Sequence, residues 1–247
     1  MYKLFFSSVT CVLFSFYTVS SYAYDSQTEI VRECKKIPNY ATQGGKLYQE
    51  KNYTQALKAF KKQAAWAHFC SYHEDVTRTQ VSAEQLATAY NNVGLTHQKL
   101  GQPRWAKAWY SIMPETKKSQ FNLSQLPSIQ ASKQKSGSYV RYAGQGEWNT
   151  LQVTEKKDHY QIDFFGLRMG LMALMNGPNM GEFSIKMPKN SNIAQYRYED
   201  CKIQLQFQNH ASDGERIKVT QNENTSSCGF GFGVYAEGNY LKVETQP

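Results

Sequence analysis

Three motifs of nucleotide and hydrolytic chemistry are missing from this chain: it has no Walker loop, no Gly-x-Ser-x-Gly elbow and no His-Glu-x-x-His helix. Their absence argues against P-loop nucleotide hydrolysis, α/β-hydrolase chemistry and zincin-type proteolysis. Ser132 and Lys135 have the Ser-x-x-Lys spacing of penicillin-binding enzymes, but the companion Ser-Asp-Asn and Lys-Thr-Gly motifs are lacking. His68, Cys70 and His73 lie close together, yet their combined spacing is not a standard zinc pattern and a fourth ligand is wanting. After the first two dozen residues no apolar run approaches the roughly 20 residues of a spanning helix. The chain is therefore read as a non-enzyme with no cofactor and no transmembrane anchor after signal cleavage.

What is present begins with an export signal. Met1 to Ala23 carries Lys3, the apolar run Val9 to Val19 and the small-x-small ending Ser21-Tyr22-Ala23. Cleavage there starts the mature chain near Tyr24 and removes Cys11, which lies inside the apolar run rather than after it, where a lipidated cysteine belongs. Four cysteines remain: Cys34, Cys70, Cys201 and Cys228. Export to a periplasmic or secreted location permits disulfides. Of the three pairings open to four cysteines, Cys34 with Cys70 and Cys201 with Cys228 are expected, because each pair then stays within one half of the chain.

Charge divides the same way. Residues 24–136 hold sixteen Lys and Arg against eight Asp and Glu, whereas residues 137–247 hold eleven against twelve. A basic exported surface suits an acidic protein partner, lipid headgroups or an anionic envelope polymer. Basic residues with Trp66, Trp105 and Trp109 also suit nucleic acid, but export argues against that partner.

The basic half reads as helical. Ser26 and Glu29 form a capping-box pattern opening a helix that Pro38 stops. Thr54 is expected to cap a helix bearing Ala56, Leu57, Phe60 and Ala64, and Ser82 with Gln85 to cap another bearing Leu86, Ala89, Tyr90 and Val93. Gly101 and Pro103 stop and restart the chain before Trp105, Ala106, Trp109 and Tyr110, and Pro114 to Leu126 offers a last helix. Within this stretch Tyr40, Gly44, Leu47, Ala56 and Phe60 recur, offset for offset, as Tyr90, Gly94, His97, Ala106 and Tyr110. The small residues permit close helix contact and the aromatic residues fill the groove between helices.

This pattern resembles the degenerate tetratricopeptide repeat, with Sel1-like repeats as an alternative label. The units lie 50 residues apart rather than about 34, and the surplus between Ala65 and Val81 is expected to be helix extension plus a loop. The resemblance implies a groove lined by the first helix of each pair, making Tyr48, Gln49, Asn91, Leu95, Gln98 and Lys99 candidate partner-binding residues.

The second half alternates with period two, at Leu151 and Val153, at Tyr160, Ile162 and Phe164, and at Ile203, Leu205 and Phe207. Seven or eight strands in an antiparallel sandwich or small barrel are expected. Cys228, Phe230, Phe232 and Val234 alternate with glycine, as a strand with one bulky and one bare face would. This ending is similar to small secreted bacterial β-domains, including lysozyme-inhibitor-like barrels, although no inhibitor motif transfers residue by residue. Met169, Met172 and Met175 at three-residue spacing suggest an adaptable apolar segment that packs over the barrel end or docks a partner. Thioethers also suit Cu(I), but no paired His or Cys supports that site.

The expected architecture is α+β: a signal at 1–23, a tetratricopeptide-like helical array at 24–127, a linker at 128–138 and a β-rich domain at 139–247. The expected function is a protein-binding adaptor of the cell envelope. The alternative is an inhibitor or immunity-type protein that plugs a cell-wall hydrolase with Gly144 to Asn149 and Gly166 to Gly181.

Overall fold

The structure, a computed structural model, describes residues 20–129, 132, 134–171, 173, 177–210, 214–222 and 228–245. Most of the expected signal, residues 1–19, and two of the three methionines, Met172 and Met175, lie outside the described residues. Helices come first: α1 (Ser20–Lys35), α2 (Ile37–Gln49), α3 (Tyr53–Tyr72), α4 (Glu74–Thr77), α5 (Ala83–Lys99), α6 (Pro103–Tyr110) and α7 (Lys117–Ser124).

Local chemistry sets most of these boundaries. Ser82 and Gln85 form the expected capping box, with Gln85 N–H donating to Ser82 Oγ at 3.2 Å and Ser82 N–H donating to Gln85 Oε1 at 2.8 Å. Gly101 takes a positive φ of 73° past the end of α5, and Pro103 opens α6, where its missing N–H costs nothing. Three boundaries differ from expectation. The first helix already runs from Ser20, so Ser26 does not open it. Pro38 sits in the first turn of α2 rather than merely ending α1. Asn52, not Thr54, caps α3 by accepting the Gln55 N–H.

The sequence repeat corresponds to a packing repeat. A Cβ built on Gly44 would lie 2.5 Å from the Phe60 ring, and one on Gly94 would overlap the Tyr110 ring. In both hairpins, α2 with α3 and α5 with α6, an aromatic of the second helix therefore rests on a glycine of the first. The 50-residue spacing arises because α3 is 20 residues long and α4 follows it. Cys70, near the end of α3, is bonded to Cys34 at the end of α1.

This contact makes a paired prediction. Gly94→Ala gains helix propensity of about 1 kcal/mol, but it drives a methyl into a fully buried ring, so a net loss of about 1–2 kcal/mol is expected. Gly45→Ala meets nothing within 4 Å and should stabilise by about 0.5–1 kcal/mol. Urea unfolding of the two variants checks both signs.

The strands are β1 (Gly137–Gly144), β2 (Glu147–Glu155), β3 (His159–Arg168), β4 (Asn179–Pro188), β5 (Ile193–Tyr198), β6 (Cys201–His210), β7 (Gly214–Gln221) and β8 (Gly238–Glu244). They form one antiparallel sheet in the order β4-β3-β2-β1-β8-β7-β6-β5. The sheet is nearly closed into a barrel rather than split into a sandwich. Inward residues of every strand, among them Tyr139, Leu151, Ile162, Phe183, Ala194, Leu205, Ile217 and Tyr240, share one core. At the seam, Phe183 of β4 stacks on Tyr196 of β5 with ring centroids 4.6 Å apart. The Cys201–Cys228 disulfide joins β6 to the loop preceding β8.

That loop departs from the expected strand. Gly229 and Gly233 adopt φ of 71° and 70°, so the chain turns instead of alternating. Phe230 enters the barrel core while Phe232 is 81 % exposed. The anticipated close approach is present all the same: Gly231 N–H donates to the Met180 carbonyl at 2.8 Å.

The two halves are not separately packed modules. Val140 and Val243 on the outer barrel face meet Ala108 of α6, flanked by Trp105, Trp148 and Leu241. Tyr142 and Trp148 also pack into the helical core around Tyr90 and Trp109. The expected linker is likewise tied down, since Ser132 N–H donates to Glu215 Oε2 at 2.8 Å and β1 already begins at Gly137.

Candidate functional site

Because α3 is long, the first turns of α2 and α5 face each other over its middle instead of closing on one another. Together with Cys34 and residues 79–82 they enclose a cavity of about 490 Å³. Ile37, Pro38, Ala41, Ala67 and Val81 give it apolar walls, and Lys35 and Glu84 place one charge of each sign among its lining residues. Such a recess takes one or two apolar side chains of a polypeptide and fixes their direction at a polar rim. The Cys34–Cys70 bond crosses beside it and holds the end of α1 against α3.

None of the six helix residues expected to bind a partner lines this cavity: Tyr48, Gln49, Leu95, Gln98 and Lys99 lie toward the opposite ends of α2 and α5, and Asn91 sits in the middle of α5. Gln49 and Lys99 are exposed, and Tyr48 and Leu95 are half-buried. Tyr48 packs edge-on to Tyr53 at 5.3 Å, and Gln98 accepts the Tyr110 hydroxyl at 3.3 Å. Asn91 is turned inward: its amide donates to Ala87 O and Ser119 Oγ and accepts from Asn122 of α7. It is a buried part of the α5–α7 contact and presents nothing to a groove. The cavity residues escaped notice because short apolar side chains such as Ala41 and Val81 look like ordinary packing until the helices are placed.

Of the methionines, Met169 is half-buried at the end of β3. Two residues on, Leu171 packs against Ile30, Cys34, Phe69 and Cys70, so this part of the β3–β4 connection is anchored to the helices. The turn at Gly144 to Asn149 is engaged too, with Gly144 against His68, Gly146 against Ala65 and Trp148 in the junction core. Neither proposed plug segment projects freely across its described residues.

At the junction a hydrogen-bond chain runs from barrel to helices. Gly146 N–H donates to Tyr142 Oη at 3.0 Å, Tyr142 donates to Tyr90 Oη at 3.4 Å, and Tyr90 Oη lies 2.6 Å from His68 Nδ1. With Tyr142 donating to Tyr90, the arrangement that also pairs the Tyr90 proton sends it to His68 Nδ1 and places the imidazole proton on Nε2. Burial drives the His68 pKa down to about 4, with His73 adding a smaller effect of the same sign. It drives the Tyr142 hydroxyl up to about 12 and raises Tyr90 further. The chain is neutral at pH 7.

Cys70 is consumed by its disulfide, and among the described residues no three His, Cys, Asp or Glu side chains converge as metal ligands. Ser132 and Lys135 point to different partners. Ser132 Oγ accepts from Lys242 Nζ at 3.1 Å, while Lys135 Nζ reaches the Lys189 carbonyl at 3.4 Å. In comparisons with protein-family models, curated proteins and solved structures, the chain shows no match.

Proposed function

We propose that the protein is an exported binding protein of the bacterial cell envelope that holds a protein partner through the cavity between α2 and α5. The observation that carries this reading is that cavity itself: an apolar recess of about 490 Å³ between helix ends. It has the size and polarity of a site for a side-chain anchor. Two intrachain disulfides favour an oxidising compartment. The glycine–aromatic contact repeated in both hairpins supports a tetratricopeptide-like array as the scaffold. Binding is non-covalent and needs no cofactor.

A photo-crosslinking side chain introduced at Ala41, at the cavity wall, tests this in cells producing the full chain. Untagged wild-type protein should compete away partner capture, and competitor carrying Ala41→Arg should be at least about tenfold less potent. Competitor with Lys58→Ala, an exposed substitution on α3 away from the cavity, should keep full potency. Equal competition by the two variants would dismiss the cavity as the binding site.

A further inference from the structure

A second cavity, of about 420 Å³, lies between the end of α3, the β1–β2 turn and the end of β3. It shares no lining residue with the recess between α2 and α5. Its composition is distinctive. Arg168 contributes a permanent cation, His68 and His73 contribute imidazoles, and among the described residues no carboxylate lines it. The Arg168 guanidinium lies 5.0 Å from the centroid of the exposed Phe232 ring, where it meets a π face rather than an acid.

The other groups are set for a ligand with a negative, oxygen-rich end. The hydrogen-bond chain through Tyr142 and Tyr90 leaves His68 with an Nε2–H to donate. Gly144, at φ 105°, keeps the approach to that atom clear, since a Cβ there would lie 2.9 Å from Nε2. Gln145 is 7 % exposed, adopts a positive φ of 49°, and its buried Oε1 has no hydrogen-bond partner. That oxygen has almost no accessible surface of its own, so a ligand hydroxyl or amide N–H satisfies it as the Gln145 side chain turns toward the cavity it lines. Tyr72 is 70 % exposed and stacks on His68 with centroids 4.5 Å apart, offering a flat open ring at the rim.

The geometry points to a binding site for a carboxylate-bearing saccharide unit. Its carboxylate meets Arg168 and the His68 Nε2–H, a hydroxyl or acetamido N–H reaches Gln145, and the apolar face of the sugar lies on Tyr72. Charge-assisted bonds from guanidinium and imidazole to a carboxylate supply the affinity. The stacked aromatic and the unpaired amide oxygen select a hydroxylated ring over a simple acid. The site stands independently of the proposed protein-binding cavity.

The test uses full-length mature protein and three probes: N-acetylmuramate, N-acetylglucosamine and acetate, followed by amide chemical-shift titration. N-acetylmuramate should saturate, shifting the amides of Gly144, Gln145 and Arg168. The other two, which lack the carboxylate or the ring, should bind at least about tenfold more weakly. Arg168→Gln should cut N-acetylmuramate affinity about tenfold or more. Tyr72→Ala should weaken both sugars and leave acetate unchanged. Both side chains are exposed, so the variants should retain the wild-type unfolding midpoint. Indistinguishable titrations for all three probes would overturn the proposal, as would an Arg168→Gln protein that unfolds normally and still binds N-acetylmuramate with wild-type affinity. Acetate binding as tightly as N-acetylmuramate would overturn the saccharide assignment.

Discussion

Glu215→Ala should destabilise the protein by about 3–5 kcal/mol, as removing one partner from a buried ion pair does. Glu215 opens β7 at one end of the barrel and gathers three groups from separate parts of the chain. Lys242 Nζ of β8 lies 2.9 Å from Oε1, while Arg104 of α6 at 3.1 Å and the Ser132 backbone N–H at 2.8 Å bond to Oε2. The Lys242 side chain has no solvent exposure. Burial lowers its pKa and Glu215 opposes that shift, so removing the carboxylate leaves an ammonium held by Ser132 Oγ, the Gln134 carbonyl and the face of the Tyr139 ring. Those neutral acceptors do not balance its charge.

The size of the effect comes from the stranded charge rather than from the attraction between the pair. Lys242→Met, which keeps an apolar stem in the buried site and removes the ammonium together with its contact to the Tyr139 ring, should therefore cost less. Glu215→Gln combined with Lys242→Met should recover most of the loss, because an apolar replacement of a buried pair is often neutral. Urea denaturation of wild type, Glu215→Gln, Lys242→Met and their double variant closes the cycle, with Glu215→Ala measured alongside. If the double variant is as unstable as Glu215→Ala, the pairing explanation is wrong. The same residues join helix, linker and barrel, so near-UV and far-UV signals should be lost together in Glu215→Ala rather than in two steps.

None of this clasp was visible in the sequence. Lys242 in Tyr-Leu-Lys-Val-Glu reads as the solvent face of an alternating strand, and Glu215 is 27 residues away from it. The antiparallel register of β7 and β8, in which Arg216 faces Leu241, sets the two side by side at a strand end where the linker covers them. What was legible rested on local or periodic chemistry. The Ser82–Gln85 capping box, the inward alternation of Leu151 and Val153, and the recurrence of glycine with a later aromatic all depend on short-range geometry. The disulfide pairing was accessible because each bond stays within one half.

The misreadings have physical sources as well. Glycine at positive φ breaks the parity that placed Phe230 and Phe232 on one face. Asn91 looked like helix surface because its partners, Ser119 and Asn122, come from α7, whose docking side no periodicity reveals. The junction itself is invisible in the sequence: Trp105 and Trp109 of α6 interlock with Tyr142 and Trp148 of the barrel, a contact between elements far apart in the chain. The two cavities are equally invisible in the sequence. One needs α3 to hold α2 and α5 apart, and the other needs the β1–β2 turn pressed against the end of α3.

The half-buried His68 and the buried His97 make stability fall in mild acid. His68 and His97 each have a pKa depressed to about 4, chiefly by burial, against an ordinary value of 6.5 in the unfolded chain. Between those values the unfolded state binds protons that the folded state refuses, so stability rises with pH across that window. The full benefit is present above about pH 6.5 and drains away as pH drops towards 4. Each histidine contributes up to roughly 3 kcal/mol, and with both acting the slope near pH 5 is about 2–3 kcal/mol per pH unit. Urea midpoints at pH 7.5, 6.0, 5.0 and 4.5 measure it, and a flat profile from pH 7.5 to 5.0 would refute the assignment. His97 offers the sharper dissection, because it stands where the first hairpin has Leu47, stacks on Trp105 at 5.8 Å and leaves its buried Nε2 without a hydrogen bond. His97→Leu surrenders the 2.7 Å contact of Nδ1 with Gln102 but removes both the unpaired nitrogen and one of the two protons. The variant should have about half the wild-type acid slope while remaining within about 1 kcal/mol of wild type at pH 7.5. An unchanged slope would move the acid sensitivity away from His97 and back to the chain of Tyr142, Tyr90 and His68.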